Sequence, residues 1–199
     1  MSKRFKKSKK DDQIMVDEKK GHLYLGDKDL RLLMLRPIDL IEFTEFAGAN
    51  SEDIIIWVGK QLAKYFMEKL YPAMDLTTED LSTKKIIINN VLETLQNIGY
   101  GLIHSTIKKE FIMVSVEEPI SKEERENIMA KNLCVLYQGI FNGILEELGL
   151  DADGEEVSCY LLGDAACVYR FDLLVDEFGE EDIDEDAEST HISNFLKTL

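Results

Sequence analysis

The sequence predicts an α+β fold: an antiparallel sheet made of hairpins, packed on several helices. Three observations predict it. Apolar residues recur at helical spacing up to Ile98. After Gly101 the pattern changes to β-branched alternation. One long helical stretch and a second hairpin follow, so the order is helices, hairpin, helix, hairpin, with no βαβ alternation. The 199 residues suit one domain, and 45% hydrophobic residues supply a sizeable core.

The elements follow in order. Residues 1–21 open with KRFKKSKK and read as a basic flexible tail. Leu23–Leu25 and Leu30–Leu35 suggest a hairpin turning at Gly26-Asp27. Pro37 suits the first turn of a helix that runs to Gly48. Asn50 or Ser51 caps a second helix, with Ile54, Val58, Leu62 and Tyr65 at helical spacing and Ile55 and Phe66 beside them. Thr78 opens a third, whose apolar face is Ile88, Val91, Leu92, Leu95 and Ile98, and Gly99 stops it. Leu102–Lys108 and Phe111–Val116 are strands joined by a Lys-Lys-Glu turn, and Pro119 ends the second. Ser121 and Glu124 form a capping box launching a long helix that stops at Gly149. Val157–Leu162 and Ala166–Val175 read as the last two strands. Residues 176–199 are an acidic tail with a short terminal helix, too charged to pack before that helix. The domain proper is thus 22–175.

The net charge of −16 and pI near 4.6 argue against nucleic-acid phosphate as a partner. No apolar run approaches the roughly 20 residues of a membrane span, and no signal peptide is visible, so the expected location is cytoplasmic. Three cysteines in such a chain point to thiols or metal, not to a disulfide framework.

The chemistry concentrates in residues 132–172, which hold all three cysteines. Cys159 and Cys167 are equidistant from Gly163 in the turn Gly163-Asp164. A loop of odd length centred on Gly163, or a bulge, sets them on one face, with Cβ atoms about 4.5–5.5 Å apart. Leu161 and Ala165 then share that face, while Tyr160, Leu162, Ala166 and Val168 take the other. A two-residue loop pairs Cys159 with Val168 and sets the sulfurs on opposite faces. Cys134, from the helix, can complete a three-thiolate cluster. Buried free cysteines that merely pack are the alternative.

Cys134, Gly139 and Gly143 on a helix, then Glu156, Cys159, Gly163-Asp164 and Cys167, resemble the vinyl-4-reductase (4-vinyl reductase) domain. This domain occurs alone in archaeal and bacterial proteins and as the effector-sensing part of aromatic-responsive regulators. The resemblance spans Asn132–Asp172, with Leu35–Glu118 similar in helix order only. It implies a zinc ion held by Cys134, Glu156, Cys159 and Cys167. Three sulfurs and one oxygen fill a tetrahedral shell, which marks a structural or sensor-domain staple and not a hydrolytic centre. Glu156 precedes Cys159 by three residues, so in a regular strand the two face opposite ways. An irregular strand start near Gly154 would allow it to ligate; water, Glu155 or Asp164 are the alternatives.

The resemblance also implies a cavity for a small hydrophobic molecule. Gly139 and Gly143 either leave room for it or let another element approach closely. Trp57, Tyr65, Phe66, Phe111, Tyr137, Phe141, Tyr169 and Phe171 are candidate walls, each of which also suits ordinary core packing. His22, His104 and His191 lie near no nucleophile pattern, and the chain has no phosphate loop, dinucleotide fingerprint or HExxH. The expected function is a zinc-containing, non-enzymatic binding or sensor domain for a small hydrophobic or aromatic ligand. It is expected to form a homodimer through the apolar residues of Ile54–Phe66 and to signal through a partner protein. A role in tetrapyrrole vinyl reduction and a dimeric interaction scaffold are the alternatives.

Overall fold

The computed structural model describes residues 14–26, 30–35, 39, 48–120, 125 and 130–174. The expected helix after Pro37, the capping box at Ser121 and Glu124, and most of both tails lie outside the described residues.

Strands β1 (Ile14–Asp17), β2 (His22–Leu25) and β3 (Leu30–Leu32) form a three-stranded antiparallel sheet. The expected hairpin is β2–β3, with Leu25 opposite Leu30 and both buried. Strand β1 lies within the stretch expected to be a basic tail.

Helix α1 (Ser51–Leu70) buries one face, Ile55, Gly59, Ala63, Phe66 and Met67. These residues follow the helical repeat of an amphipathic helix on a core. Helix α2 (Leu81–Asn97) starts at Asp80, not at Thr78. The Asp80 carboxylate accepts from the Thr83 N–H at 2.8 Å, a side-chain cap that Thr78, in a preceding 3-10 turn, does not provide. Gly99, at φ +100, ends that segment as expected.

Strands β4 (Leu102–Ile107) and β5 (Phe111–Glu117) form the expected hairpin, closed by Lys108 N–H to the Phe111 carbonyl at 2.9 Å. Helix α3 (Lys131–Glu147) follows, then β6 (Ala152–Ser158) and β7 (Ala166–Leu173). The four strands order β4-β5-β7-β6, all antiparallel. The α+β fold with its antiparallel sheet on helices is therefore as the sequence predicts.

Helix α3 is central: it is buried towards α1 on one side and towards the sheet on the other. A Cβ on Gly139 would lie 2.5 Å from the Ile56 carbonyl oxygen, and one on Gly143 2.8 Å from Lys60 Cα. Gly59 of α1 matches them, its Cβ position 2.6 Å from the Leu136 carbonyl. These glycines bring two helix backbones together. Of the two readings of Gly139 and Gly143, the close approach of another element is the one seen on that face, where α1 lies.

The last hairpin also departs from expectation. Its first strand is 152–158 instead of 157–162, and Tyr160–Leu162 form a 3-10 turn. The alternation foreseen for Tyr160, Leu161 and Leu162 therefore does not apply. Gly163 closes the turn at φ +119, a conformation that favours glycine.

Candidate metal centre

Three elements carry the four donor residues. Cys134 lies near the start of α3 and is buried, and its carbonyl accepts from the Tyr169 hydroxyl at 3.1 Å. Cys167 sits in β7, between β5 and β6, opposite Val116. The ladder locks its backbone, and its side chain shares the inner face with Tyr169 and Phe171.

Glu156 and Cys159 reach the same face through a bulge. Glu156 pairs with Tyr169 and Ser158 pairs with Val168, so Val157 is the extra residue. Continuing the register places Cys159 opposite Cys167, the odd arrangement centred on Gly163. Three residues of β6 thus match two of β7, and positions 156 and 159 point the same way. The irregularity that Glu156 requires lies at Val157, not at Gly154. Gly154 instead makes room for an aromatic ring: it lies opposite Phe171, and a Cβ there would run into that ring.

The turn after Cys159 is held by Asp164. Its carboxylate accepts from the Cys159 N–H at 2.8 Å and from the Ser158 hydroxyl at 2.9 Å. Asp164 is thereby engaged as a loop clasp and is not among the clustered donors. The bend turns the amides of Tyr160 and Leu161 towards the sulfurs of Cys167 and Cys159 respectively. Arg125 covers the Tyr160 ring at 4.6 Å. The bulge and these amides are not visible in residue spacing. The Gly163-Asp164 pair was the one local signal, since aspartate often bonds to nearby backbone in turns.

The result is a compact cluster. One donor atom from each of Cys134, Glu156, Cys159 and Cys167 lies within 4.8 Å of the others. Cys134 Sγ is 3.6 Å from Cys167 Sγ and 3.8 Å from Cys159 Sγ. Around a tetrahedral zinc with ~2.3 Å bonds, sulfurs stand about 3.8 Å apart. Glu156 Oε1 is buried without a hydrogen-bond partner. An orphaned buried carboxylate oxygen is costly unless something cationic meets it. The donor set fits zinc.

The electrostatics agree. The hydrogen bond to Cys167, followed by burial, pushes the Cys134 thiol up. The same bond, received, holds Cys167 below the usual thiol value, helped by the Tyr160 amide. Burial raises Cys159, against the Leu161 amide. Without a cation the cluster shares protons among like-charged groups; with one, all four can be anionic.

The candidate ligand walls are dispersed. Trp57 and Tyr65 are exposed on α1, at 61% and 38%. Phe66 is buried in the α1 face that meets the core. Phe111 lies under the Arg170 guanidinium. Tyr137, Phe141, Tyr169 and Phe171 form one aromatic cluster on the inner face, next to the sulfurs. Beside it is an apolar void of about 10 Å³ between α2, α3 and the sheet, lined by Ile88, Leu92, Ile112, Phe141 and Phe171 among others. That is about the space of one water. His22 bonds Tyr24 at 2.8 Å, and His104 lies 3.6 Å from Glu117. Among the described residues no helix is long and apolar enough to cross a membrane.

No protein-family profile matches the sequence, and no curated protein sequence does either. Solved structures do match. The phenol-responsive sensory domain of the transcription activator PoxR, determined with phenol, is 13% identical over 92% of this chain and 90% of that one, at a TM-score of 0.54. An H-NOX structure from a study of heme distortion is 17% identical over 80% and 84%, at 0.50. The chain shares the fold of these two structures. At such identities the likeness is one of fold alone. Ligand pockets are roughly 300–1,000 Å³, whereas the void at the helix–sheet interface is about 10 Å³.

Proposed function

We propose that this chain is a zinc-stapled, non-enzymatic sensor domain of the vinyl-4-reductase type, which binds a small hydrophobic or aromatic molecule and passes the event to a partner protein. The observation that carries the reading is the closed donor set of Cys134, Glu156, Cys159 and Cys167, within 4.8 Å and with an orphaned carboxylate oxygen. Zinc held there supplies no open position for substrate; it fastens helix α3 to the final hairpin. The ligand would seat against Phe141 and Phe171, which line the apolar void, with Tyr137 and Tyr169 of the same aromatic cluster beside them, once α2 moves away from the sheet. A ligand inserted there would press on the helix that carries Cys134.

The domain would act as a homodimer. While α1 buries one face, Ile54, Trp57 and Tyr65 stay exposed on the other, at 43%, 61% and 38%. Exposed apolar stripes of this kind mark association surfaces.

Native mass spectrometry of freshly purified protein tests the reading, because it reports metal and any co-purified molecule together. One zinc per chain and a thermal shift with simple phenols or alkylbenzenes support it. A metal-free chain that answers to none of them contradicts it.

A further inference from the structure

The three thiols are not equivalent. Cys134 and Cys167 are 6% and 0% exposed, whereas Cys159 is only partly buried. It sits on a turn whose tip, Leu162, is 87% exposed, beside Val157 at 48%. Cys167 is fixed in a strand bonded on both sides, but Cys159 lies just beyond the bulge, outside the ladder. Its sulfur is 3.8 Å from Cys134 Sγ. A disulfide needs about 2.05 Å, a closure that a cysteine on a turn can make by rotating its side chain.

We propose that Cys159 is a peroxide-reactive thiol and Cys134 its resolving partner, so that one hydroperoxide converts the cluster into a Cys134–Cys159 disulfide. The fate of the cation rests on the metal reading above; the thiol chemistry rests on the exposure of Cys159 and its place outside the ladder, since by distance alone Cys167 Sγ, at 3.6 Å, is the nearer neighbour of Cys134 Sγ. In the first step Cys159 Sγ attacks the peroxide: an S–O bond forms, the O–O bond breaks and hydroxide leaves. Sulfur is oxidised by two electrons, the peroxide is reduced, and the thiol's proton converts hydroxide to water. In the second, Cys134 Sγ attacks the sulfenic sulfur. The S–S bond forms, the S–O bond breaks, and hydroxide leaves to take the Cys134 proton as water. Only Cys167 and Glu156 then remain as donors, two where a structural zinc needs four. The disulfide in turn ties α3 to the turn.

The test treats the reduced full-length chain with one equivalent of hydrogen peroxide, alkylates the remaining thiols and maps the cross-link. Trypsin is unsuitable, because no lysine or arginine lies between Lys131 and Arg170. A protease specific for acidic residues separates Cys159 from Cys167 at Asp164. The expected product is lighter by two hydrogens, carries a Cys134–Cys159 cross-link and leaves Cys167 alkylated. The Cys167→Ser variant, which keeps both reacting thiols, forms the same cross-link. A cross-link through Cys167 in the unaltered chain, or three thiols that all stay alkylatable, overturns the proposal. Zinc is measured in the same samples. Zinc present at the start and released on cross-linking supports both readings. Cross-linking of a chain that never held zinc supports this inference and contradicts the metal site; zinc retained without a cross-link does the reverse.

Discussion

Glu156 and Cys159 stand three residues apart in the chain, yet their donor atoms lie within 4.8 Å of each other. A regular strand turns such residues to opposite faces. The extra residue Val157, between Glu156 opposite Tyr169 and Ser158 opposite Val168, turns them to one. The bulge is therefore what makes a four-donor site from this sequence.

Deleting Val157 tests that relationship. The deletion restores a regular ladder in which Glu156 and Cys159 stand two positions apart and still share one face, so the variant should keep stoichiometric zinc in elemental analysis. Val157→Ala should keep the metal, because that side chain is 48% exposed and contributes only its backbone. Loss of zinc from the deletion variant would count against Val157 being the extra residue.

The α1–α3 contact predicts a second outcome. Gly139→Ala gains roughly 0.8–1 kcal/mol of helix propensity. It also drives a methyl to 2.5 Å from the Ile56 carbonyl, against backbone that cannot yield as a side chain could. Overpacking typically costs ~1–3 kcal/mol, so urea denaturation should show a net loss of up to about 2 kcal/mol. A more stable variant would mean that the two helices are not in contact there.

The third concerns pH. The Thr83 N–H, then the Ser82 hydroxyl, hold the Asp80 carboxyl below its ordinary value. A group depressed on folding stabilises above its unfolded pKa and loses that effect as pH falls through its folded one. Asp80→Asn should therefore be less stable than the parent chain at neutral pH, and the gap should narrow in acid. A gap that widens on acidification would reverse the sign and refute the cap.

The fourth concerns assembly. Trp57→Glu places a charge at the centre of the exposed α1 stripe and should convert a dimer, at twice the chain's 22.8 kDa, to monomer in sedimentation. A parent chain already monomeric at micromolar concentration would exclude the dimer.

Much of this was legible in the sequence for identifiable reasons. The β4–β5 hairpin announced itself by β-branched alternation and the end of α3 by Gly149; the symmetry of Cys159 and Cys167 about Gly163 narrowed the hairpin to two registers without deciding between them. Strand β6 was not legible. Its residues, ADGEEVS, have little strand propensity; they are extended because β7 pairs with them along an edge open to solvent. Conversely, Tyr160–Leu162 read as strand from their apolar run, but the Asp164 clasp bends them into a turn. The shared face of Gly139 and Gly143 was visible in their spacing. That α1 would fill it was a tertiary fact, beyond the reach of local pattern.

The central claim is the metal shell, and X-ray absorption at the zinc edge tests it most directly. The expected result is about one zinc per chain with three sulfurs at ~2.3 Å and one oxygen at ~2.0–2.2 Å, and a loss of one sulfur from the shell in Cys159→Ser. A chain purified without chelators that holds no zinc, or a shell with fewer than three sulfurs in the unaltered protein, would contradict it.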